Sequence, residues 1–448
     1  MKGLKSTAAL VVVLAGLGAY IYFVTWKQPS SDTPKEDKVF ASVKSDKIDE
    51  LKVRSASGDT TTLKKSGGTW ALTAPVSAAA DEADVSGITS NLGTLSITRV
   101  VDENPTDLKQ YGLATPRIEV DFQQEGDKTG HRLLLGDKSP TGGDLFAQRD
   151  GERRVFLVSA FQESTFNRSS FDLRDKTLIK FDRDKVDGLT VDADGKTIQI
   201  AKDGGDWKLE KPLQVQADFG SVEELVGRLQ SVQMKSIVAS DATPADLKKF
   251  GLDKPAATVT FDIGSARASL VLGGAADATS VYARDSSRPM VMTVESALLT
   301  DLKKGADAYR RKDIFAFRAY NATHVELTRG GQTVVFEKVK GTGKDAQDTW
   351  RRVSPNAKDV DKDTMDGMLT KFANMRAASF VDASAKTGLD SPALTLDVKY
   401  EDGKKEEKVT FGAVGGDVYA AVPGQPGAAK VDSTDFNEAL KQLDELSK

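Results

Sequence analysis

The chain has no cysteine, and only two histidines, His131 and His324, occur among its 448 residues. Without thiols it has no means of forming disulfides, iron–sulfur clusters, thiolate zinc sites, a cysteine nucleophile or a lipidated N-terminal cysteine. Both histidines lie in stretches with strand-like alternation, which predicts solvent-side strand residues. A general base or a metal ligand is the alternative interpretation of each.

A surface dominated by one sign of charge is also lacking. Lysine and arginine number 62, aspartate and glutamate number 66, and the formal net charge is −4 with both signs interspersed. Phosphate backbones are bound by clustered basic residues, and no such stripe is present. Nucleic acid is therefore not expected as a partner.

Motifs that carry catalysis or cofactor binding are missing as well. No phosphate-binding G-x-x-x-x-G-K-[ST] pattern and no G-x-S-x-G elbow occurs. The acidic runs 182–188 and 359–370 fail as calcium loops, because the second has Thr364 where the turn needs glycine. We predict no catalytic, metal or cofactor-binding residues and expect a non-enzymatic protein. A hydrolase that uses a pair of carboxylates stays open as a minor alternative.

One long uncharged run is present, near the N-terminus. Residues 6–26, STAALVVVLAGLGAYIYFVTW, match the length of a membrane-spanning helix and end in a cluster of aromatic residues. We predict an uncleaved signal anchor over residues 1–26 that contacts the lipid bilayer through residues 6–26. A cleaved signal peptide is the competing interpretation. Residues 27–39 read as a polar tether, and the rest of the chain is expected to be exported.

Three copies of one pattern organise the remainder. Each copy has a tryptophan, a proline five residues later and an aspartate eleven residues later: Trp70, Pro75 and Asp81; Trp207, Pro212 and Asp218; Trp350, Pro355 and Asp361. A helical apolar pattern follows each aspartate, which suits an N-cap. The spacing predicts three modules, over residues 40–176, 177–313 and 314–448.

Each module also repeats a corner segment, DLKQYGLATP at 107–116, DLKKFGLDKP at 246–255 and the reduced SAKTGLDSP at 384–392. The proline before each of the first two corners, Pro105 or Pro244, is expected to start a short helix that glycine ends in a left-handed cap before the next strand.

Alternating strands surround the tryptophan and follow the corner. The predicted fold class is α+β: one N-terminal transmembrane helix, then three tandem modules of mostly antiparallel sheet, each with a packed helix. We interpret the tryptophans as core anchors, with a sugar-stacking platform as the alternative.

These motifs together resemble the family called domain of unknown function 4340. The residues that carry the resemblance are WALTAPVSAAAD, YGLATP and LLLGD in the first module and WKLEKPLQVQAD, FGLDKP and LVLGG in the second. The third departs, since WRRVSPNAKDVD lacks the leucine and TGLDSP lacks the aromatic residue. The resemblance covers nearly all of residues 40–448. It implies an envelope protein of Gram-negative type that accompanies ABC-2-type exporter subunits, and it implies no catalytic or ligand residues.

The function expected from these features is that of a single-pass inner-membrane protein with a periplasmic C-terminal region. It would act as an accessory or scaffold subunit of a membrane transport complex, with ABC exporter subunits as partners and no small-molecule cofactor. The alternative is a periplasmic protein that binds peptidoglycan or polysaccharide.

Overall fold

The computed structural model describes residues 37–127, 129–341 and 347–448, together with Tyr20. Apart from Tyr20, the predicted membrane segment and its bilayer contact over residues 6–26 lie outside the described residues. Within the part of the chain that is described, no helix is long and apolar enough to cross a membrane.

The described residues form three antiparallel sheets of nine strands with helices packed on them, which confirms the α+β class. The first sheet contains β1 (Ile48–Arg54), β2 (Thr60–Ser66), β3 (Thr69–Ala74), β4 (Ala78–Ala79), β5 (Arg99–Asp102), β6 (Ile118–Gln124), β7 (His131–Lys138), β8 (Asp144–Arg149) and β9 (Val155–Ser159). The second contains β10 (Gly188–Ala193), β11 (Lys196–Asp203), β12 (Asp206–Lys211), β13 (Val215–Gln216), β14 (Ser236–Ala239), β15 (Ala257–Ile263), β16 (Ala266–Asp277), β17 (Ser280–Asp285) and β18 (Val291–Glu295). The third contains β19 (Ala322–Arg329), β20 (Gln332–Val339), β21 (Thr349–Ser354), β22 (Lys358–Val360), β23 (Ala377–Val381), β24 (Leu394–Tyr400), β25 (Lys405–Val414), β26 (Asp417–Ala421) and β27 (Ala428–Val431).

Helices connect or flank these strands. The α-helices of the described residues are α1 (Glu82–Thr94), α2 (Gln162–Phe166), α3 (Ser170–Leu173), α4 (Phe219–Ser231), α5 (Pro244–Lys249), α6 (Ser296–Leu302), α7 (Lys362–Ala373) and α8 (Ser433–Ser447). Short 3₁₀ segments cover Ser45–Lys47, Lys109–Tyr111, Arg183–Lys185 and Ala306–Ala308.

The strand order is the same in all three sheets. In the first sheet it is β4-β3-β2-β1-β6-β7-β8-β9-β5, so the chain leaves one edge at β4 and enters the other edge at β5. The connection is α1, whose 13 residues span about 20 Å. Residues 80–81 and 95–98 extend the connection at its two ends. Buried side chains of the helix and of the sheet form one core.

The apolar stripe of each long helix faces that core, as the sequence pattern predicts. Val85, Ile88 and Leu92 of α1 are fully buried. The equivalent helices α4 and α7 bury Val222, Leu225 and Leu229, and Met365, Met368, Leu369 and Phe372. The three predicted N-caps are confirmed too, because each aspartate carboxylate accepts backbone N–H groups of its helix's first turn.

The three tryptophans are core residues. Their exposed fractions are 5% for Trp70 and 1% each for Trp207 and Trp350. The indole N–H of Trp207 donates to Glu223 Oε1 at 3.1 Å and that of Trp350 to Asp366 Oδ1 at 3.2 Å, so the second and third rings are tied to their helices. With these rings buried, the sugar-stacking interpretation fails for all three. The peptide bonds that precede Pro75, Pro212 and Pro355 are all cis, which the spacing did not reveal.

The repeated decapeptide is a helix-to-strand corner. Gly112 has φ 68°, its N–H donates to Lys109 O at 3.0 Å, and the N–H of Leu113 donates to Leu108 O at 3.0 Å. These two bonds form the expected Schellman cap. The second corner has the same pair of bonds around Gly251. In the third, a left-handed glycine remains but the preceding segment consists of turns.

The prediction about proline is correct for only one of the two corners. Pro244 is the first residue of α5, where Thr243 and Asp246 form a capping box. Pro105 does not start a helix, because the first corner contains only the 3₁₀ turn Lys109–Tyr111. This turn begins at an Asp107 carboxylate that accepts the Lys109 N–H.

A second glycine of each module supports the corner. A β-carbon added at Gly136 would overlap the carbonyl oxygen of Tyr111, and one at Gly273 would overlap that of Phe250. Gly412 faces Thr387 in the same way. The glycine that closes the second strand after each corner is therefore required by a close approach of two backbone segments.

The corner aromatic residue meets the aromatic–alanine pair of a later strand. The rings of Tyr111 and Phe146 lie 5.1 Å apart between centroids, and those of Phe250 and Tyr282 lie 4.5 Å apart. Motifs that are some 30 residues apart in sequence thus form one contact. In the third module Thr387 replaces the aromatic residue.

Contacts within the chain define two compact units, and the boundary between them lies between Lys176 and Thr177. The first unit holds the first sheet. Its entry residues 37–39, the end of the predicted tether, pair with residues 95–97 after α1. The second unit holds the second and third sheets, which contact each other through the segment 309–313.

Candidate functional site

The two histidines lie on strands and are partly exposed. His131 is stacked on the Phe122 ring at 5.1 Å, and its Nε2 lies 3.4 Å from Asp127 Oδ2. His324 Nδ1 lies 3.7 Å from Glu337 Oε1 across the β19–β20 pair. This agrees with the strand-residue interpretation.

A cleft lies beside His131 on the first sheet, and its volume is about 360 Å³. Its other polar residues include Asp121, which accepts a hydrogen bond from Arg132, and Asp150. The Asp121 carboxylate is thus neutralised by the neighbouring strand. Sequence reasoning did not locate this cleft, because β1, β2, β6 and β7 meet there only through long-range pairing.

The acidic runs form local structure. Asp361 caps α7, and its Oδ1 accepts the Thr364 N–H at 2.8 Å. In the run 182–188, Asp182 pairs with Lys185 within a 3₁₀ turn. Among residues 37–127, 129–341 and 347–448, no group of three or more histidine or acidic side chains is placed to hold a metal ion.

The N-cap aspartates of the first two modules have a second task that the sequence analysis missed. The other carboxylate oxygen of Asp81 lies 3.2 Å from Lys176 Nζ, and that of Asp218 lies 3.4 Å from an Arg376 nitrogen. Burial raises the pKa of Asp81, but the Asp84 N–H and the Lys176 ammonium outweigh it and hold the pKa below its ordinary value. The aspartate thereby ties its helix to a distant segment.

We expect Asp81→Ala to destabilise the first unit by about 1–2 kcal/mol, the usual cost of a lost N-cap. Because the folded-state pKa is lowered, this stability is present at neutral pH and is lost as the pH falls through that pKa. Urea unfolding of wild type and variant at pH 7 and pH 3 should therefore show a smaller difference at pH 3. The matched control is Asp361→Ala, which removes a cap that has no ion pair among the described residues and should have the weaker pH dependence. An equal difference at both pH values for Asp81 would contradict the assignment.

One carboxylate pair lies on the third sheet. Asp397 is a cross-strand neighbour of Lys408, with Glu406 close by. Burial and the neighbouring Glu406 carboxylate raise the pKa of Asp397, with a smaller contribution from Glu326. A carboxyl with a raised pKa beside a second carboxylate is the combination that a carboxylate-based hydrolase uses as general acid and nucleophile or base. None of these carboxylates lines the cleft beside His131 or the cavity between the second and third sheets.

Replacing Asp397 by asparagine should raise the urea midpoint of the second unit at pH 7. Since the folded-state pKa of Asp397 is raised, stability falls as the pH rises from the unfolded-state pKa through the folded one. The neutral amide removes that loss, and the gain should vanish below about pH 4. The control is Asp417→Asn on the same sheet, where the Lys430 ammonium lowers the pKa, so no gain is expected. A wild-type-like midpoint at pH 7 would show that the pair carries no electrostatic cost.

A large concave surface lies in the second unit, between the second and third sheets. This inter-sheet groove has a volume of about 980 Å³. One wall is formed by β11, β12 and β13 and carries Lys202, Lys208 and Lys211 with Asp203 and Glu210. The other wall is the loop 423–425. The groove is polar and holds both signs of charge.

Arg310 contacts both sides of the inter-sheet groove, with its backbone bridged to Ala217 after β13 and its side chain on the loop wall. It is 4% exposed, its guanidinium lies 3.8 Å from the Phe380 ring centroid, and it donates to Pro426 O at 3.1 Å. Arg376 adds a second link, because it pairs with both Asp218 and Asp313. The loop wall is therefore held by buried contacts, and the groove is preformed.

Comparisons with known proteins give a family and little else. The family model described as "Domain of unknown function (DUF4340)" matches residues 70–214, 207–392 and 350–448. No curated protein matches the chain. A crystal structure of the DNA polymerase sliding clamp from Pseudomonas aeruginosa with ligand is 9% identical, covers 88% of this chain and 93% of its own, and has a TM-score of 0.15, which is too low to support an argument.

Proposed function

The chain belongs to the DUF4340 family, and we propose that it is a non-enzymatic, single-pass inner-membrane protein whose periplasmic modules act as a scaffold for a membrane transport complex. The observation that carries this proposal is where the repeated residues lie. The tryptophans, cap aspartates and corner glycines recur in the modules, and each packs, caps or turns the chain. Tandem modules of this kind provide extended surfaces for partners.

The partner we propose is an ABC-type exporter subunit, which the family resemblance implies. The uncharged segment 6–26 would hold the chain in the same membrane as that subunit. The orientation rests on the short N-terminal tail, which favours a periplasmic C-terminal region.

Affinity purification of the full chain in mild detergent tests this function. The control bait keeps residues 1–39 and carries an unrelated periplasmic domain. We expect exporter membrane subunits to be enriched with the full chain and absent from the control. If no transporter subunit exceeds the control level, the scaffold function is wrong.

The inter-sheet groove favours a second candidate, a protein that binds an envelope polymer. Its polar walls and volume of about 980 Å³ suit an extended glycan or peptide strand. Purified peptidoglycan sacculi should then retain the wild-type chain and release a Lys202→Glu, Lys211→Glu double variant. Retention of both proteins to the same extent would remove the groove from consideration.

A further inference from the structure

A second cavity of the second unit is apolar and partly enclosed. This end pocket has a volume of about 630 Å³ and lies where the β10–β11 turn, the segment after Pro212 and the end of α6 meet. Its accessible apolar lining consists mainly of Pro212, Leu213 and Ala306, and the buried side chains of Val191, Ile198 and Leu302 lie beneath them. A concave apolar cavity of this size is of the kind that holds small ligands.

The corresponding place in the first module is crossed by hydrogen bonds to the β1–β2 turn. The equivalence follows from register, because Val53 pairs with Thr61 as Val191 pairs with Ile198. There the β1–β2 turn is tied down by two hydrogen bonds, from Ala56 N to Asn167 Oδ1 at 2.8 Å and from Ser170 N to an Asp59 carboxylate at 2.6 Å.

In the third module a longer helix covers the corresponding place. Its last helix, α8, has 15 residues, whereas α6 has seven. Arg352, at the position of the leucine that the third motif lacks, is buried and donates to Leu446 O at 3.2 Å near the end of α8. Arg329 pairs with Asp444 at 2.8 Å over the same end. In the second module α6 ends at Leu302, and the end pocket lies beyond that end.

The rim of the end pocket carries both signs of charge. Lys303 pairs with Asp194 at 2.9 Å, Lys304 with Asp301 at 3.0 Å, and Asp307 with Arg310 at 3.4 Å. In the described structure, two further rim side chains, Lys196 and Asp382, make no ion pair. One free cation and one free anion therefore border an apolar cavity.

We propose that the end pocket binds a single-chain phospholipid with a zwitterionic head group. The alkyl chain enters the cavity, where each buried methylene contributes through the hydrophobic effect. The phosphate lies at Lys196 and the head-group cation at Asp382. This proposal is independent of the scaffold function, since it concerns a single cavity of the second unit.

Photolabelling of the full chain in membrane vesicles tests the proposal with site resolution. The probe is a single-chain phosphocholine with a diazirine at the end of its alkyl chain, and labelled residues are identified by mass spectrometry. We expect labelling of residues 191–198, 212–213 and 302–306, competed by unlabelled dodecylphosphocholine. Labelling at the membrane segment does not interfere, because the readout is by position.

Variants test whether the probe labels these residues because it binds in the end pocket. Ala306→Trp fills it and should lower labelling there at least fivefold, while Ala266→Trp, on an exposed strand end of the same sheet, should leave it unchanged. If Ala306→Trp does not fold, Leu213→Gln in the pocket lining replaces it. Unchanged labelling in the filled variant, or equal loss in the control, would overturn the proposal.

The head-group assignment has its own test. Lys196→Met and Asp382→Asn should each weaken labelling about two- to fivefold, the range that an exposed ion pair supplies. Dodecyl sulfate and dodecyltrimethylammonium should compete less well than dodecylphosphocholine. Equal competition by all three, or labelling that neither variant changes, would overturn the zwitterionic assignment.

Discussion

Trp207→Ala should destabilise the second unit by about 3–5 kcal/mol, the cost of deleting a large buried aromatic side chain. The ring is 1% exposed, and Lys202 Nζ lies 4.7 Å from its centroid on the outer side. Deletion leaves a cavity between the sheet and α4 and removes the hydrogen bond to Glu223. Urea unfolding followed by hydrogen exchange in residues 177–448 measures the loss.

The conservative variant Trp207→Phe separates packing from the hydrogen bond. It keeps most of the apolar volume and should cost about 1–3 kcal/mol, chiefly from the lost hydrogen bond to Glu223 Oε1, while Glu223 Oε2 keeps its ion pair with Arg183. If the alanine variant unfolded with the wild-type midpoint, Trp207 would not be a core anchor.

Gly136→Ala should destabilise the first unit by about 3 kcal/mol, although it adds a single methyl group. The new β-carbon would overlap the Tyr111 carbonyl oxygen, and Leu113 lies on the same side. Overpacking of a close backbone contact costs about 1–3 kcal/mol and sometimes more. The corner and the strand β7 would have to separate, which breaks the Tyr111–Phe146 contact.

The matched control for this substitution is Gly143→Ala in the same module. A β-carbon at Gly143 meets nothing within 4 Å, and its φ is not positive. We therefore expect a change within about 0.5 kcal/mol. Similar unfolding midpoints for the two variants would mean that the corner does not press on β7.

The features that sequence reasoning predicted are those that depend on local order along the chain. Periodicity predicted the buried stripes of α1, α4 and α7, and the position of an aspartate predicted each N-cap. Glycine at a fixed place predicted the left-handed cap at Gly112. In each case the physical cause lies within a few residues, so a single stretch of sequence carries the information.

The features that it missed depend on contacts between distant segments. Three such features are the edge position of β5, the close approach of Gly136 to Tyr111 and the link from Asp81 to Lys176. The lost leucine in the third motif is another example. From the sequence alone, the loss of this leucine suggests that the repeat has diverged. In the structure, Arg352 takes its place and donates a hydrogen bond to the end of α8.

The end pocket belongs to the same class of feature. It arises because α6 stops at Leu302 while its counterpart α8 continues for 15 residues. The sequence pattern locates the end of a helix only approximately. A cavity exists where no side chain fills the space between elements, and that packing is not visible in a sequence pattern. The pocket was therefore absent from the predicted site residues.

The central claim is that the chain contains three copies of one structural unit whose repeated residues build corners, caps and cores. The most direct test is hydrogen exchange on three separate variants, Gly136→Ala, Gly273→Ala and Gly412→Ala. We predict faster exchange at the corner and closing strand of the substituted module in each case, over residues 107–138, 246–275 or 384–414. Faster exchange in none of them, or in one module only, would contradict the claim that the three corners are equivalent.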